Sequence, residues 1–278
     1  MRHGIHVIRD GPSAAPPLLL VHGSGAGSAT WEPVVPALAA HRHVIRVDLP
    51  GCGQSPPVSS YDVPGQAARV AGVLDGLGLR SVTVAGHSSG GYVATALAES
   101  RPELVGSLAL ISTGPDLAAF RPQPLILRLL LGPVFGPLLW RARTDSLIRR
   151  AILATCAHPS SRTSRPAAAT SSAPASAVAL RPVSIPDAMV AELRGITYRS
   201  MSAVLRANTD YLAERGIPDR LAALGRTALV IFGAADPRWA PSSAHRYPTS
   251  RVELLPGVGH LPMLEDPAST AELLLSAD

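Results

Sequence analysis

The sequence contains no lysine: its 25 basic side chains are all arginines, set against 20 carboxylates for a formal charge of +5. The arginines are scattered apart from a local cluster between Arg141 and Arg150, and aromatic residues make up only 4% of the chain. Nucleic-acid surfaces combine basic stripes with interleaved aromatics, so nucleic acid is not an expected partner and the charge reads as compositional bias. Cysteine is equally scarce. Cys52 and Cys156 form no Cys-x-x-Cys and no spaced framework, which argues against a disulfide scaffold or zinc site and fits a reducing, cytoplasmic setting. No uninterrupted apolar run reaches the roughly 20 residues of a membrane helix, and Met1 to Val7 carry no apolar signal core. A cytoplasmic protein with no membrane partner is expected.

What is present centres on one stretch. Ser81 to Ala85 is rich in β-branched residues, Gly86-His87-Ser88-Ser89-Gly90-Gly91 follows, and Tyr92 to Ala98 is helix-forming. Strand, sharp turn and helix in that order hold a serine in a strained corner, where the residues two before and two after must be small. Gly86 and Gly90 meet that need for Ser88; for Ser89 the first flank would be His87, too bulky for the corner. Ser88 is the candidate nucleophile, and the N–H of Ser89, at the start of a helix, is a candidate donor to an oxyanion.

The rest of the chain alternates strand and helix. Ile5–Arg9 reads as an edge strand, Pro17–Val21, His43–Asp48, Val105–Ile111, Thr227–Phe232 and Arg251–Leu255 as further strands, with helices over Trp31–Ala40, Val63–Leu77 and Pro267–Leu275. This predicts an α/β, doubly wound, mostly parallel sheet. After Gly114-Pro115 the rhythm breaks, and only helical patterns follow, over 125–131, 145–154, 185–194 and 200–212. The expected organisation is a core of residues 1–113 and 216–278 with a helical cap of 114–215. Within it, residues 158–182 are Ser, Ala, Thr, Pro and Arg, too poor in large apolar side chains to offset their ordering entropy, and a mobile surface loop is expected there. Pro122–Trp140 is very apolar but broken by Arg128, Gly132, Pro133, Gly136 and Pro137, so it reads as cap packed on the core in preference to a membrane or partner surface.

Glycine-rich His22 to Gly27 ends the second strand without the Lys-Ser/Thr of a P-loop or the Gly-x-Gly-x-x-Gly of a dinucleotide site. No cofactor is expected. An oxyanion turn fits better, with the N–H of Ser24 as second donor. Asp48 reads as a strand-end residue capping the Pro50-Gly51 turn. Asp236, in Gly233-Ala234-Ala235-Asp236-Pro237, and His260, in Gly257-Val258-Gly259-His260, each follow a strand. Ser88, Asp236 and His260 therefore fall on one edge of a parallel sheet in the order nucleophile, acid, base.

With these segments, and Asp48 to Ser55, the chain resembles the α/β-hydrolase-fold enzymes across nearly the whole core. The resemblance implies Ser88 as nucleophile, His260 as general base and acid, Asp236 as its orienter, and the N–H groups of Ser24 and Ser89 as the oxyanion hole. A cap inserted after Val105–Ile111 is similar to the family's. Serine at the elbow sets the chain apart from the haloalkane dehalogenases and epoxide hydrolases, which carry Asp there. The Gly23–Gly27 turn is similar to that of carbon–carbon bond hydrolases, with Ala26 where those carry Pro, and Pro241–Ser250 is shorter than the family's helix at that point.

The cap is rich in Leu, Val and Ile and nearly free of carboxylates, which predicts a small to medium apolar ester, lactone or related acyl compound as substrate, with Tyr198 and Arg199 as cap residues that could orient it. The alternatives on the same fold are a carbon–carbon bond hydrolase, a non-hydrolytic biosynthetic enzyme, and a non-catalytic small-molecule binding protein.

Overall fold

A computed structural model describes residues 4–122, 125–157 and 183–277. The 158–182 tract lies outside them. In chain order the elements are β1 (His6–Asp10), β2 (Pro17–Val21), α1 (Val35–Ala39), β3 (His43–Asp48), α2 (Val63–Leu77), β4 (Val82–His87), α3 (Gly90–Ser100) and β5 (Val105–Ile111). Then come the helices α4 (Leu125–Leu131), α5 (Gly136–Arg141), α6 (Asp145–Leu153), α7 (Asp187–Gly195), α8 (Tyr198–Glu214) and α9 (Ile217–Ala223). The chain closes with β6 (Leu229–Gly233), β7 (Arg251–Leu255), α10 (Pro262–Glu265) and α11 (Pro267–Leu275).

Among the described residues the strands form one seven-stranded sheet in the order β1-β3-β2-β4-β5-β6-β7, parallel except for β1, which runs antiparallel to β3. The apolar runs of the inner strands follow from burial on both faces. Along β2, Leu19 and Val21 join the layer of α2, α3 and α9, while Leu18 and Leu20 join the layer of α1 and α11 on the opposite face. Each such side chain contributes about 1.5–3 kcal/mol by leaving water. α2 starts where the Asp62 carboxylate accepts the Gly65 N–H and stops at Gly78, whose φ of 68° suits glycine.

The expected helix over Trp31–Ala40 is shorter. Ser28–Trp31 is a 3₁₀ turn, and α1 begins only at Val35, because Pro33 and Pro36 lack the N–H that a continuous helix would need. Three helices go beyond the sequence expectation: α5, behind Gly136-Pro137, α9, behind Ile217-Pro218, and α10, opening at Pro262. In all three, Pro occupies the first turn, where a missing N–H costs nothing. The chain leaves the sheet layer after β5 and comes back at α9, where Ile217 N donates to Pro115 O at 2.8 Å. Among the described residues no helix is long and apolar enough to cross a membrane.

Candidate active site

Because β2, β4, β5, β6 and β7 are parallel, the loops after them share one edge of the sheet. At the end of β4, Ser88 has φ of +52°, a conformation costing a non-glycine residue about 1–3 kcal/mol. Its N–H donates to Ile111 O at 2.7 Å, and the Thr113 hydroxyl donates to Ser88 O at 3.1 Å. The flanking glycines are sterically required: a Cβ at Gly86 would lie 2.4 Å from Gly90 O, and one at Gly90 would lie 2.3 Å from Val21 O. Gly91 is equally constrained, since its Cβ would meet Thr113 Oγ1 at 2.1 Å.

His260 is buried between the other two groups. Its Nδ1 is 2.8 Å from Asp236 Oδ2, and its Nε2 is 3.2 Å from Ser88 Oγ. The 3₁₀ turn at Pro241–Arg246 does not prevent this approach, although it replaces a longer helix. Asp236 Oδ1 accepts the N–H groups of Arg238, at 2.7 Å, and Trp239, at 3.3 Å. Burial pushes this carboxyl upward, but His260 and these N–H donors outweigh it and hold the group below the ordinary aspartate range. It is therefore ionised where His260 needs an acceptor at Nδ1.

The turn after β2 lies beside the elbow. Ser24 Oγ and Ser89 Oγ are 2.8 Å apart, and among the described residues the N–H groups of Ser24 and Ser89 donate to no protein acceptor. Asn208, on α8, donates through Nδ2 to Ser24 Oγ at 2.9 Å. His22 anchors the turn from below: Nδ1–H donates to Gly23 O at 2.9 Å, and Nε2 accepts the Leu49 N–H at 2.8 Å. Those partners fix its neutral tautomer, and burial lowers its pKa although Asp48 favours the charged form. Asp48 is a structural acceptor, as its strand-end position suggests, taking the N–H groups of Ser28 and Gln54 at 2.7 and 2.9 Å.

Several residues around the site carried no distinctive sequence signal. His87 donates through Nε2–H to His260 O at 2.9 Å, and burial, followed by the proximity of His260, drives its pKa down to about 3. Glu265 accepts the N–H groups of Gly259, at 2.9 Å, and Leu261, at 3.1 Å, on either side of His260. The same carboxylate accepts the Ala157 N–H at 2.7 Å, and His260 N donates to Thr155 O at 2.8 Å, so the segment after α6 is tied directly to the histidine loop. On α7, Glu192 accepts the Ala29 N–H at 3.0 Å through Oε1, while Oε2 is buried without a hydrogen-bond partner among the described residues. Burial, reinforced by Asp48 and Glu32, pushes that carboxyl up to about 7.

Two residues expected in the site are not brought to it. The Tyr198 hydroxyl donates to Leu131 O and Gly132 O at 3.0 and 2.8 Å, with its ring against Trp140, so it fastens α8 to the α4–α5 connection. Arg199 is exposed on α8. The side chains closing over the Ser24 turn are instead Met201 and Leu193, which would meet a Cβ at Gly25 at 3.2 and 3.3 Å. Their spacing reads as helix core, and only the packed arrangement shows where they face. Among the described residues no group of three His, Cys, Asp or Glu could hold a metal ion.

A model of the alpha/beta hydrolase family matches residues 18–273. The chain is 30% identical over 269 residues to the pimeloyl-[acyl-carrier protein] methyl ester esterase of Aeromonas hydrophila, covering 93% of this chain and 94% of that protein. It is 42% identical over 103 residues to the 2-hydroxy-6-oxo-2,4-heptadienoate hydrolase of Pseudomonas putida, a match spanning 35% of this chain and 37% of that one. The carboxylesterase CesB of Bacillus subtilis superposes with a TM-score of 0.72 at 20% identity, over 98% of this chain and 87% of that chain, a likeness of fold.

Proposed function

The chain belongs to the alpha/beta hydrolase family and is a hydrolase of that fold; within it, we propose that the protein cleaves a small to medium apolar ester, lactone or related acyl compound through an acyl-serine intermediate. The observation that carries this reading is the position of His260, 2.8 Å from Asp236 and 3.2 Å from Ser88 at a positive-φ elbow. With Nδ1–H donated to the ionised Asp236, the Nε2 lone pair faces the Ser88 hydroxyl and takes its proton as Oγ attacks the acyl carbon. Asp236 stabilises the resulting imidazolium, which passes its proton to the leaving alkoxide. Water then enters, His260 accepts its proton as the water oxygen attacks the acyl carbon, and the imidazolium returns that proton to Ser88 Oγ as the acyl–oxygen bond breaks and the acid product departs.

The N–H groups of Ser24 and Ser89 receive the oxyanion, each such donor supplying roughly 2.7–4 kcal/mol. Residues 114–215 act as a cap, with Met201, Leu193 and Val204 as apolar groups about the Ser24 turn and Asn208 as its polar contact. The methyl ester named for the Aeromonas relative agrees with an ester substrate. The Gly23–Gly27 turn and the partial match to the Pseudomonas enzyme favour carbon–carbon cleavage as the second reading.

The test is a series of p-nitrophenyl esters from acetate to decanoate, with intact-mass detection of the acyl-enzyme. kcat/KM is expected to rise with chain length until the pocket is full, and an acyl adduct should appear on Ser88. A folded protein giving neither turnover nor adduct across the series, yet consuming a 2-hydroxy-6-oxodienoate, would replace ester hydrolysis with the second reading.

A further inference from the structure

The very apolar stretch of the sequence that the site does not use folds as the α4–α5 hairpin. Its inner side is packed: Leu130 and Leu131 lie against Trp140, Ile196 and Tyr198, and Trp140 Nε1 donates to Ile196 O at 2.7 Å. Gly136 allows this closeness, since a Cβ there would meet Tyr198 Cε2 at 2.5 Å. Arg143 is committed to the same side, its guanidinium 3.5 Å over the Trp140 ring and donating to Leu193 O and Ile196 O. The outer side faces water with apolar groups: Leu125, Val134, Phe135 and Leu138 are 69, 74, 58 and 71% exposed, and Leu129 and Leu139 are exposed beside them. A helix that already buries one side ordinarily turns polar residues outward.

The chemistry of the stretch selects the occupant. From Leu125 to Ala142 there is no Asp, Glu, Asn, Gln, Ser or Thr, and from Leu117 to Thr144 the charged residues are Arg121, Arg128, Arg141 and Arg143. Arg141, at the end of α5, and Arg150, on α6, are exposed and have no ion-pair partner among the described residues. A protein interface surrounds its apolar centre with a hydrogen-bonding rim of mixed charge, which the 117–144 stretch does not itself supply; carboxylates return only at its two ends, with Asp116 and Asp145. An apolar stretch whose own charges are all arginines matches an anionic lipid surface, where the acyl boundary receives the first and phosphate the second. The two helices, separated by Gly132-Pro133, are each far too short to span a bilayer. We propose that the outer face of the α4–α5 hairpin docks on an anionic phospholipid bilayer, with Leu125, Val134, Phe135 and Leu138 entering the acyl boundary and Arg141 meeting lipid phosphate. This holds whatever acyl compound the site cleaves.

The experiment is flotation of the full chain with extruded vesicles of phosphatidylcholine, with and without phosphatidylglycerol, alongside light scattering in the absence of lipid. The protein is expected to float with the anionic vesicles and not with phosphatidylcholine alone, and raised salt should weaken that binding. The double variant Phe135→Ser/Leu138→Ser should bind about tenfold more weakly or less, and Arg141→Gln about fivefold. Both should keep the parent's circular dichroism and thermal midpoint, because neither alters the packed side of the hairpin. Absence of binding to anionic vesicles overturns the proposal, as does undiminished binding by the double variant. A concentration-dependent dimer that the double variant dissolves also overturns it, by giving this face to a second copy of the chain.

Discussion

The carboxyl edge of the sheet and the α4–α5 hairpin treat polarity in opposite ways. At the sheet edge, polar side chains are buried and partnered: His260 between Asp236 and Ser88, His22 between Gly23 and Leu49, Glu265 on three N–H groups. On the hairpin, apolar side chains stand in water and Arg141 at its end has no ion-pair partner among the described residues. Partnered burial fixes atoms to within fractions of an ångström, as chemistry at one oxygen requires; an outward apolar face fixes nothing within the molecule and is of use only against something else. The two regions should therefore respond differently to substitution.

The largest contrast is expected at the triad. Ser88→Ala, His260→Ala and the double variant should each lose about 10⁴-fold or more in kcat, with the double no worse than the worse single, because either loss disables the same step. Losses that multiply would show that the two do not act as a unit. Next is the elbow's steric lock. Gly90→Ala places a Cβ 2.3 Å from the Val21 carbonyl and should lower stability by about 3 kcal/mol or more in urea unfolding, against within about 0.5 kcal/mol for Leu138→Ser on the hairpin. Equal midpoints for the two variants would remove the distinction between the regions.

Glu192 should give an intermediate effect with a definite pH signature. Its carboxyl is pushed up from 4.5 to about 7, so the folded chain holds a proton that the unfolded chain has released, and stability is full below pH 4.5 and falls as pH rises toward 7. Glu192→Gln should match the parent in acid and exceed it above neutrality by on the order of 2 kcal/mol, a figure reduced for partial exposure. Thermal midpoints at several pH values measure the gap, and a constant gap would show that the carboxyl is ionised throughout. The smallest effect expected is at Asn208. Asn208→Ala removes the donor that holds Ser24 and should lower kcat about tenfold with KM nearly unchanged, since only the oxyanion turn is loosened. A change confined to KM would make Asn208 a substrate contact.

Much of the sheet edge was legible because its signals are local. β2, β3, β5, β7, α2 and α11 have the bounds that their apolar patterns indicate, and the Ser88 corner is spelled out by glycines that no other residue could replace. The hydrogen-bonding shell around it was not legible, because His87, Asn208, Glu192 and Glu265 owe their roles to neighbours 108 to 184 positions apart or to a loop closing on itself, and nothing in their spacing marks them. Tyr198 shows the converse. A polar aromatic in a cap is a reasonable substrate contact by type, but its hydroxyl is taken up by two backbone carbonyls. The antiparallel β1 is likewise a matter of pairing geometry that a short alternating run does not specify.

The ties between the inserted helices and the core also set the rules for modular exchange. Thr155 and Ala157 hold the two sides of the His260 loop, Glu192 holds Ala29, and Asn208 holds Ser24, so the seam between the proposed insert and core runs through the candidate site. A chimera built by grafting a relative's insert between Pro115 and Ile217 would join cleanly at the hydrogen bond that already pairs those two residues. Such a graft would still inherit a misaligned base and a slack oxyanion turn unless it carried its own equivalents of these four contacts. Exchange of specificity in this scaffold is thus a transplant of hydrogen-bond donors and acceptors as much as of pocket shape.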